Sequence, residues 1–428
     1  MTHNGLDPTR TVVLIGGRAQ REFDVLRDLG YQILNIDSRI PLHCMAWSDV
    51  PLDADVDDWE QVAKAVREQL GDRPPAAVLT HVEPRIPLMA HLSEQLLAER
   101  RGLTVDAALN CRDKWRTRSR LAEAGLPVPR FELVENVEGA LRAAEMIGFP
   151  VVVKPRDGAG AFGVRRCGSA DEIRLAVQSL IEEPGPGSLA GVLVEEYVDG
   201  PEFAVQTLTQ AGETQLLSVF RQHMTEPPVF VELSYEHPCG LDVEQLAELG
   251  KSMASVMDVL GLRDWVSHTQ VRLAGDGFRV IEVNARRPGG RLVDMTTAVS
   301  GVDMVDAVSR LALGLPPLQG EIRASHARYS SIVFEGAGTL HYREIEPAAP
   351  HGRFAGPIVE VEIASGEPVN RLDHPEGGVY GRVVVFGESP EQLAAEESRI
   401  HDALDLRVVP VDEGVELPAD SREFKSCC

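Results

Sequence analysis

Short apolar runs alternate with amphipathic stretches along the first quarter of the chain, a rhythm that predicts α/β structure. Thr11–Gly16 reads as a strand, Gly16-Gly17 as the turn into a helix over about Ala19–Leu29, and Gln32–Ile36 as a second strand ending at Asp37. A helix over Trp59–Leu70 and a strand over Ala76–Thr80 follow, and the strand runs into His81-Val82-Glu83-Pro84. Ligands of open α/β sheets gather beyond the carboxyl ends of strands, so His81 or Glu83 either reaches a ligand or caps a loop.

After Leu103 the pattern changes. A basic helix runs from the Asn110-Cys111-Arg112-Asp113-Lys114-Trp115 segment to Ala124, and Gly125, Pro127 and Pro129 place a domain boundary between 110 and 130. Predicted next are a helix (Val137–Ile147), a strand (Val151–Pro155), a helix (Ala170–Ile181), a Gly/Pro loop (Glu183–Gly187) and a strand (Val192–Val198). Phe203–Leu208 pairs with Thr214–Phe220. A helix over 242–260 precedes a second hairpin, Ser267–Leu273 with Phe278–Asn284, whose turn sets Gln270 opposite Glu282. Strand alternation then places Glu282, Asn284 and Arg286 on one face and Ile281 and Val283 on the core face. A helix over Met304–Leu313 leads into strand-rich α+β structure from Ala327, with a turn at His374–Tyr380, a strand at Gly381–Phe386 and a helix over Ser389–Leu404 with Pro390 in its first turn.

The length of 428 residues suggests about three domains. No apolar run is long enough to span a membrane, and Met1–Arg10 lacks the apolar core of a signal peptide, so the expectation is a cytoplasmic protein with no membrane partner. A formal charge of −24 argues against nucleic-acid binding, which needs a basic face. An acidic chain that binds a polyanion must collect its cations locally. The six cysteines show no metal-ligand spacing and read as reduced thiols, with Cys427-Cys428 ending a polar tail.

Local chemistry narrows the field. Lys154 sits in the apolar strand Val151-Val152-Val153-Lys154-Pro155, and burying a lysine is costly unless its charge is used. Gly158, Gly160 and Gly163 follow, either a plain hairpin turn or a loop whose backbone N–H groups wrap phosphate oxygens; the adjacent lysine favours phosphate. Glu282 and Asn284 offer the oxygen ligands that Mg²⁺ shares with nucleotide phosphates, and Arg286 would grip oxyanions. Arg287 and Arg291, around Gly289-Gly290, make either a charged surface loop or further phosphate or substrate contacts. Gly16-Gly17 with Asp37 invites a dinucleotide reading, but a third glycine is missing at the required step, and a scaffold domain is the better reading.

The order of these features resembles the ATP-grasp superfamily: Lys114, then Val-Val-Val-Lys154-Pro with its glycine loop, then Glu195-Glu196-Tyr197-Val198 with Glu202, then Glu282-Val-Asn284. The resemblance spans the chain by architecture and is most specific between Asn110 and Arg291. It implies a mixed α/β and α+β fold: an N-terminal Rossmann-like pre-ATP-grasp domain (1–110), a central two-part ATP-binding domain (111–320) with a mobile lid at about 130–200, and a C-terminal α+β portion (321–428) completing the ATP-grasp unit. Lys114 and Lys154 would hold ATP phosphates under the 158–163 loop. Glu195, Glu196 and Val198 would lie on the adenine edge, with backbone groups of this strand bonding the base, and Glu202 would accept from the ribose. Glu282 and Asn284 would ligate Mg²⁺, or Mn²⁺ in its place. The family's further acidic ligand is replaced here by Gln270, whose neutral oxygen is a weaker donor.

Within the superfamily the chain resembles the amino-acid ligases of the bacilysin-synthetase and carnosine-synthase type. The implied reaction is phosphoryl transfer to a carboxylate followed by amine attack, with Lys154 and Arg286 neutralising the transferred group. The implied partners are a small acid and an amine, and homodimers are common in such families. Glu83, Glu232, Tyr235 and His268 are candidates for the substrate wall; a loop with incidental polar groups is the plainer reading of Glu232 and Tyr235. The alternatives are a purine-pathway or carboxylase-type ligase, and a nucleotide-binding homologue with impaired turnover, motivated by Gln270.

Overall fold

The computed structural model describes residues 5–99, 101–158, 160–183, 189–225, 230–345, 356–372 and 378–410. Most of the predicted Gly/Pro loop at 183–187, most of the turn at 374–380 and the Cys427-Cys428 tail lie outside these residues.

The N-terminal apolar runs become a four-stranded parallel sheet, in the order Val50–Asp53, Gln32–Asp37, Thr11–Ile15, Ala77–Thr80. Its central strand Thr11–Ile15 is buried throughout, as a strand covered on both faces must be. The helix Trp59–Leu70 starts where Asp58 accepts a hydrogen bond from the Gln61 N–H, satisfying one of the free donors of its first turn. It buries Val62, Ala63, Val66 and Leu70, spaced to share one face.

A second, antiparallel sheet runs in the order Phe131–Val134, Val192–Glu196, Val151–Pro155, Arg165–Cys167. Helices Val137–Ile147 and Ala170–Glu182 pack against it, and together they close a separate apolar core that includes Val134, Ala140, Ile147, Val153, Ile173, Val177 and Val194. This small unit forms the flap over the site.

The third sheet is the platform. Its eight strands run Gly277–Asn284, Trp265–Ala274, Glu202–Gln210, Glu213–Met224, Glu232–His237, His326–Ile332, Gly381–Gly387, Ile358–Val361. The helix Val243–Leu260 buries Leu249, Met253, Val256, Met257 and Leu260 in a core continuous with that of the N-terminal sheet. A small sheet of Pro368–Val369, Gly338–His341 and Arg407–Val409 lies in the C-terminal segment.

The predicted pairing of Gln270 with Glu282 is present, but the strict alternation beyond it is not. Val271 faces Val280, so Ile281 is an extra residue at a β-bulge. Val280 and Val283 enter the core, whereas Ile281, expected there, turns to the cleft beside Glu282.

Candidate active site

A cleft of about 170 Å³ opens between the flap, the platform and the N-terminal domain. The flap contributes Lys154, Gly158, Gly160, Phe162 and the strand end Glu195–Val198; the platform contributes Glu202, Glu232, His268, Gln270, Arg272, Glu282, Asn284 and Arg286; the short helical turn Glu83–Arg85, just past the N-terminal sheet, contributes Glu83.

Lys154 is buried at 4 % exposure, with its Nζ 2.5 Å from Glu195 Oε2. Glu195 is not Lys154's alone: Arg118 Nε lies 2.7 Å from Oε1. Arg118 is wholly buried and its guanidinium also donates to the Ile281 carbonyl, which ties the bulge to the flap strand. Two cations therefore share one carboxylate. Burial, with Arg118 and Lys114 nearby, pulls the Lys154 pKa down to about 8 against the opposing pull of Glu195. The same surplus of positive charge holds Glu195 below the usual carboxylate range, although burial alone would raise it. A site built this way is short of an anion.

Lys114 starts the helix Lys114–Glu123, which Asp113 caps by accepting from the Trp115 and Arg116 N–H groups. Its Nζ lies 2.9 Å from Glu282 Oε1 and donates to the Gly158 carbonyl at 3.0 Å, so one ammonium joins platform and glycine loop. Burial disfavours that charge, but contact with Glu282 more than offsets it and the Lys114 pKa is raised. Glu282 also suffers burial, yet Lys114, Lys154 and Arg286 hold its pKa down to about 2. The base of the glycine loop is anchored. Asp157 accepts from Arg112 and from the Leu189 N–H, Arg156 pairs with Asp113 at 2.6 Å, and the Lys114 N–H donates to the Arg156 carbonyl.

Arg272 was absent from the sequence candidates. Its Nε lies 2.8 Å from Glu202 Oε2, it donates to the Val198 carbonyl at 2.9 Å, and its guanidinium stacks over Tyr197 with 5.3 Å to the ring centroid. The signal was available: His268, Gln270 and Arg272 recur at period two and all line the cleft. His268 Nδ1 meets Gln206 Oε1 at 2.9 Å, and burial lowers its pKa to about 3, so it is neutral at physiological pH. Gln270 donates to Gln222 at 3.3 Å. Among the described residues no cluster of three His, Cys, Asp or Glu side chains is suited to a metal ion, which leaves Glu282 as the carboxylate beside Asn284 and Gln270.

Residues 147–294 match the ATP-grasp domain family. The chain is 33% identical over 185 residues to carnosine synthase 1 of Gallus gallus, covering 41% of this chain and 20% of that protein. It is 28% identical over 219 residues to D-alanine–D-alanine ligase of Pseudomonas putida, covering 48% and 65%. The crystal structure of L-amino acid ligase from Bacillus licheniformis superposes with a TM-score of 0.73 at 25% identity, over 94% of this chain and 99% of that one. The matches span less than two thirds of the length of these curated relatives.

Residues 147–294 carry an ATP-grasp domain, and the chain has the ATP-grasp fold.

Five sequence candidates fall outside the cleft lining. Gly163 does not face the cleft; it has φ +68°, and a Cβ there would overlap Leu180, so packing explains this glycine. Arg287 turns away to Glu22 of the N-terminal domain at 2.7 Å, and Arg291 pairs with Glu360 and Asp294. Each finds a carboxylate on a neighbouring element, away from the cleft lining. Tyr235 is buried in an apolar cluster with Phe220 and Tyr329, and touches the cleft only through its hydrogen bond to Glu232. His81 is buried beside Glu22 and Arg287, and burial lowers its pKa to about 4. Arg286 does line the cleft, braced by Glu83 at 2.5 Å. The side chain of Glu196 is engaged by Arg130 at 3.1 Å, and its N–H donates to the Arg130 carbonyl.

Proposed function

We propose that this protein is an ATP-dependent carboxylate–amine ligase that joins an amino acid, or a similar small acid, to an amine. The observation that carries the reading is the meeting of Lys114, Lys154, Glu282, Asn284 and Arg286 in one cleft roofed by the glycine loop. The amino-acid-ligase likeness across nearly the full chain supports the choice of substrate class. In the reaction the γ-phosphoryl group of ATP passes to a carboxylate oxygen, leaving ADP. The amine then attacks the acyl carbon, the C–N bond forms and phosphate departs with the bond electrons.

The chain's part is positioning and charge. Lys154, which shares one carboxylate with Arg118, and Lys114 would take the phosphates as their present carboxylate partners are released or shared. Arg286, held by Glu83, would face the transferred group. Arg272 and Glu202, at the far end of the cleft beside Tyr197 and Val198, would hold the ribose and base edge. Glu282, with Asn284 and Gln270, would hold Mg²⁺; the fit is adequate because Mg²⁺ keeps several waters and needs only one or two carboxylates beside the substrate phosphates. The metal would neutralise phosphate charge.

The test is ADP and phosphate release measured over a matrix of acids and amines, with mass spectrometry on the products. ADP formed only with an acid–amine pair, and a condensed product of matching mass, is the expected result. Turnover with bicarbonate, or with a phosphorylated amine alone, would move the protein to the carboxylase-type or purine-pathway ligases. Gln270 favours one second reading, a nucleotide-binding protein without turnover; tight ATP binding with no ADP under any mixture would select it.

A further inference from the structure

The cleft acids can be accounted for pair by pair. Glu83 is held by Arg286, Glu195 by Lys154 and Arg118, Glu196 by Arg130, Glu202 by Arg272 and Glu282 by Lys114. Among the described residues Glu232 is the cleft acid with no cation in contact; its hydrogen-bond partner is the Tyr235 hydroxyl. Its place is built. Glu232 begins the strand Glu232–His237, where Leu233 is an extra residue opposite His223 and Met224 of the neighbouring strand, and its carbonyl accepts from Ser331 Oγ at 2.7 Å. Met224 and Phe230 flank it as apolar cleft wall. Glu282 and Arg286 lie within electrostatic range, so Glu232 looks onto the end of the cleft where the reaction would occur.

Resting on the ligase reading above, the geometry points to Glu232 as the residue that binds the incoming substrate ammonium and accepts its proton. An amino acid reaches the cleft as R–NH₃⁺, which has no lone pair. Transfer of one proton to the Glu232 carboxylate gives R–NH₂ and a neutral carboxyl group. The lone pair then forms the C–N bond as the acyl carbon–phosphate oxygen bond breaks, and the second N–H proton leaves with the phosphate. Glu232 is exposed at the start of its strand, where an ammonium can reach it, and an unpaired carboxylate attracts that ammonium; the protein surrounding the carboxylate raises its pKa, with Tyr235 opposing the rise. Tyr235 is a positioning residue: buried behind the wall, it orients the carboxylate.

The experiment compares two nucleophiles. Hydroxylamine is neutral near pH 7 and traps the activated acyl group without needing a base; an amino acid does need one. Glu232→Gln lowers the ratio of peptide to hydroxamate by ~10²-fold. Its kcat/KM for the amine rises about tenfold per pH unit between pH 6 and 8, following the free-amine fraction, while the wild type shows a shallower rise. Tyr235→Phe, which keeps the buried ring, lowers the same ratio by a smaller factor. If peptide and hydroxamate fall together in Glu232→Gln, the residue serves ATP or the metal and the inference is overturned while the ligase reading stands. If the wild type makes neither product from any acid, the ligase reading itself fails and takes this one with it.

Discussion

Two glycine-containing turns in this chain look alike on paper and are opposite in space. Gly16-Gly17 follows an apolar strand and precedes an acid, Asp37; Gly158–Gly163 follows an apolar strand that carries Lys154. At the first turn a Cβ on Gly17 would come within 2.5 Å of Leu14 and 2.8 Å of Phe23, and one on Gly16 within 3.2 Å of Val82. Asp37 is already taken by Arg18 and by Arg85. At the second, a Cβ on Gly160 would meet nothing within 4 Å, and one on Gly158 only Pro155 at 3.9 Å. The first turn is glycine because its surroundings are full. The second opens onto the cleft at Gly158 and Gly160, where a bare backbone can approach a ligand, and only its last glycine, Gly163, is packed. A glycine motif alone does not separate these cases; the atoms around it do.

The comparison is open to direct attack, beginning with the largest effect. Lys154→Ala should lower ADP release by ~10²–10³-fold, the usual cost of removing one preorganised charge from a phosphoryl-transfer site. Its fold should persist, because Arg118 still holds Glu195, and circular dichroism checks that. Near-normal turnover in this variant would remove the phosphate assignment.

The turns can then be exchanged in kind. Gly17→Ala should destabilise by about 1–3 kcal/mol through overpacking and leave the KM for ATP within about twofold. Gly160→Ala should cost about 1 kcal/mol or less in stability and raise the KM for ATP. Thermal melts and ATP titrations on both variants decide it, and the opposite assignment of effects would reverse the comparison.

Metal dependence sharpens the platform's side of the cleft. Glu282→Gln should raise the Mg²⁺ concentration for half-maximal rate by about tenfold or more, and Gln270→Glu should lower it, since each changes the number of carboxylates facing the ion. No shift with either substitution would place the metal elsewhere.

The smallest effect is in pH. The Lys154 pKa is lowered to about 8, so its charge, and with it affinity for ATP, should fade as pH rises through that value, seen as a rising KM for ATP in the cleft. Stability moves the other way. Between pH 8 and the ordinary lysine value the unfolded chain binds more protons than the folded one, so this group makes the empty protein slightly more stable as pH rises. Asp37→Ala, beside the other turn and outside the cleft lining, should leave that KM profile unchanged.

The sequence by itself determined the element order and the identity of the chemistry-bearing residues. Strand and helix periods follow from backbone geometry, so helices Trp59–Leu70 and Val137–Ile147 and the strand Val151–Pro155 were readable to the residue. A lysine in an apolar strand announces a used charge; the Gln270–Glu282 pairing was read correctly, but the turn alone would set Gln270 opposite Ile281, and the bulge moves it to Glu282. Tertiary structure decided which charges meet. Arg118, Arg272 and Arg287 look equivalent in the chain, yet one locks Glu195 in the core, one lines the cleft and one turns to Glu22, because each finds its carboxylate on a segment distant in sequence. It also decided where alternation breaks: the bulge that turns Ile281 into the cleft depends on pairing with a neighbouring strand, and no local pattern encodes it.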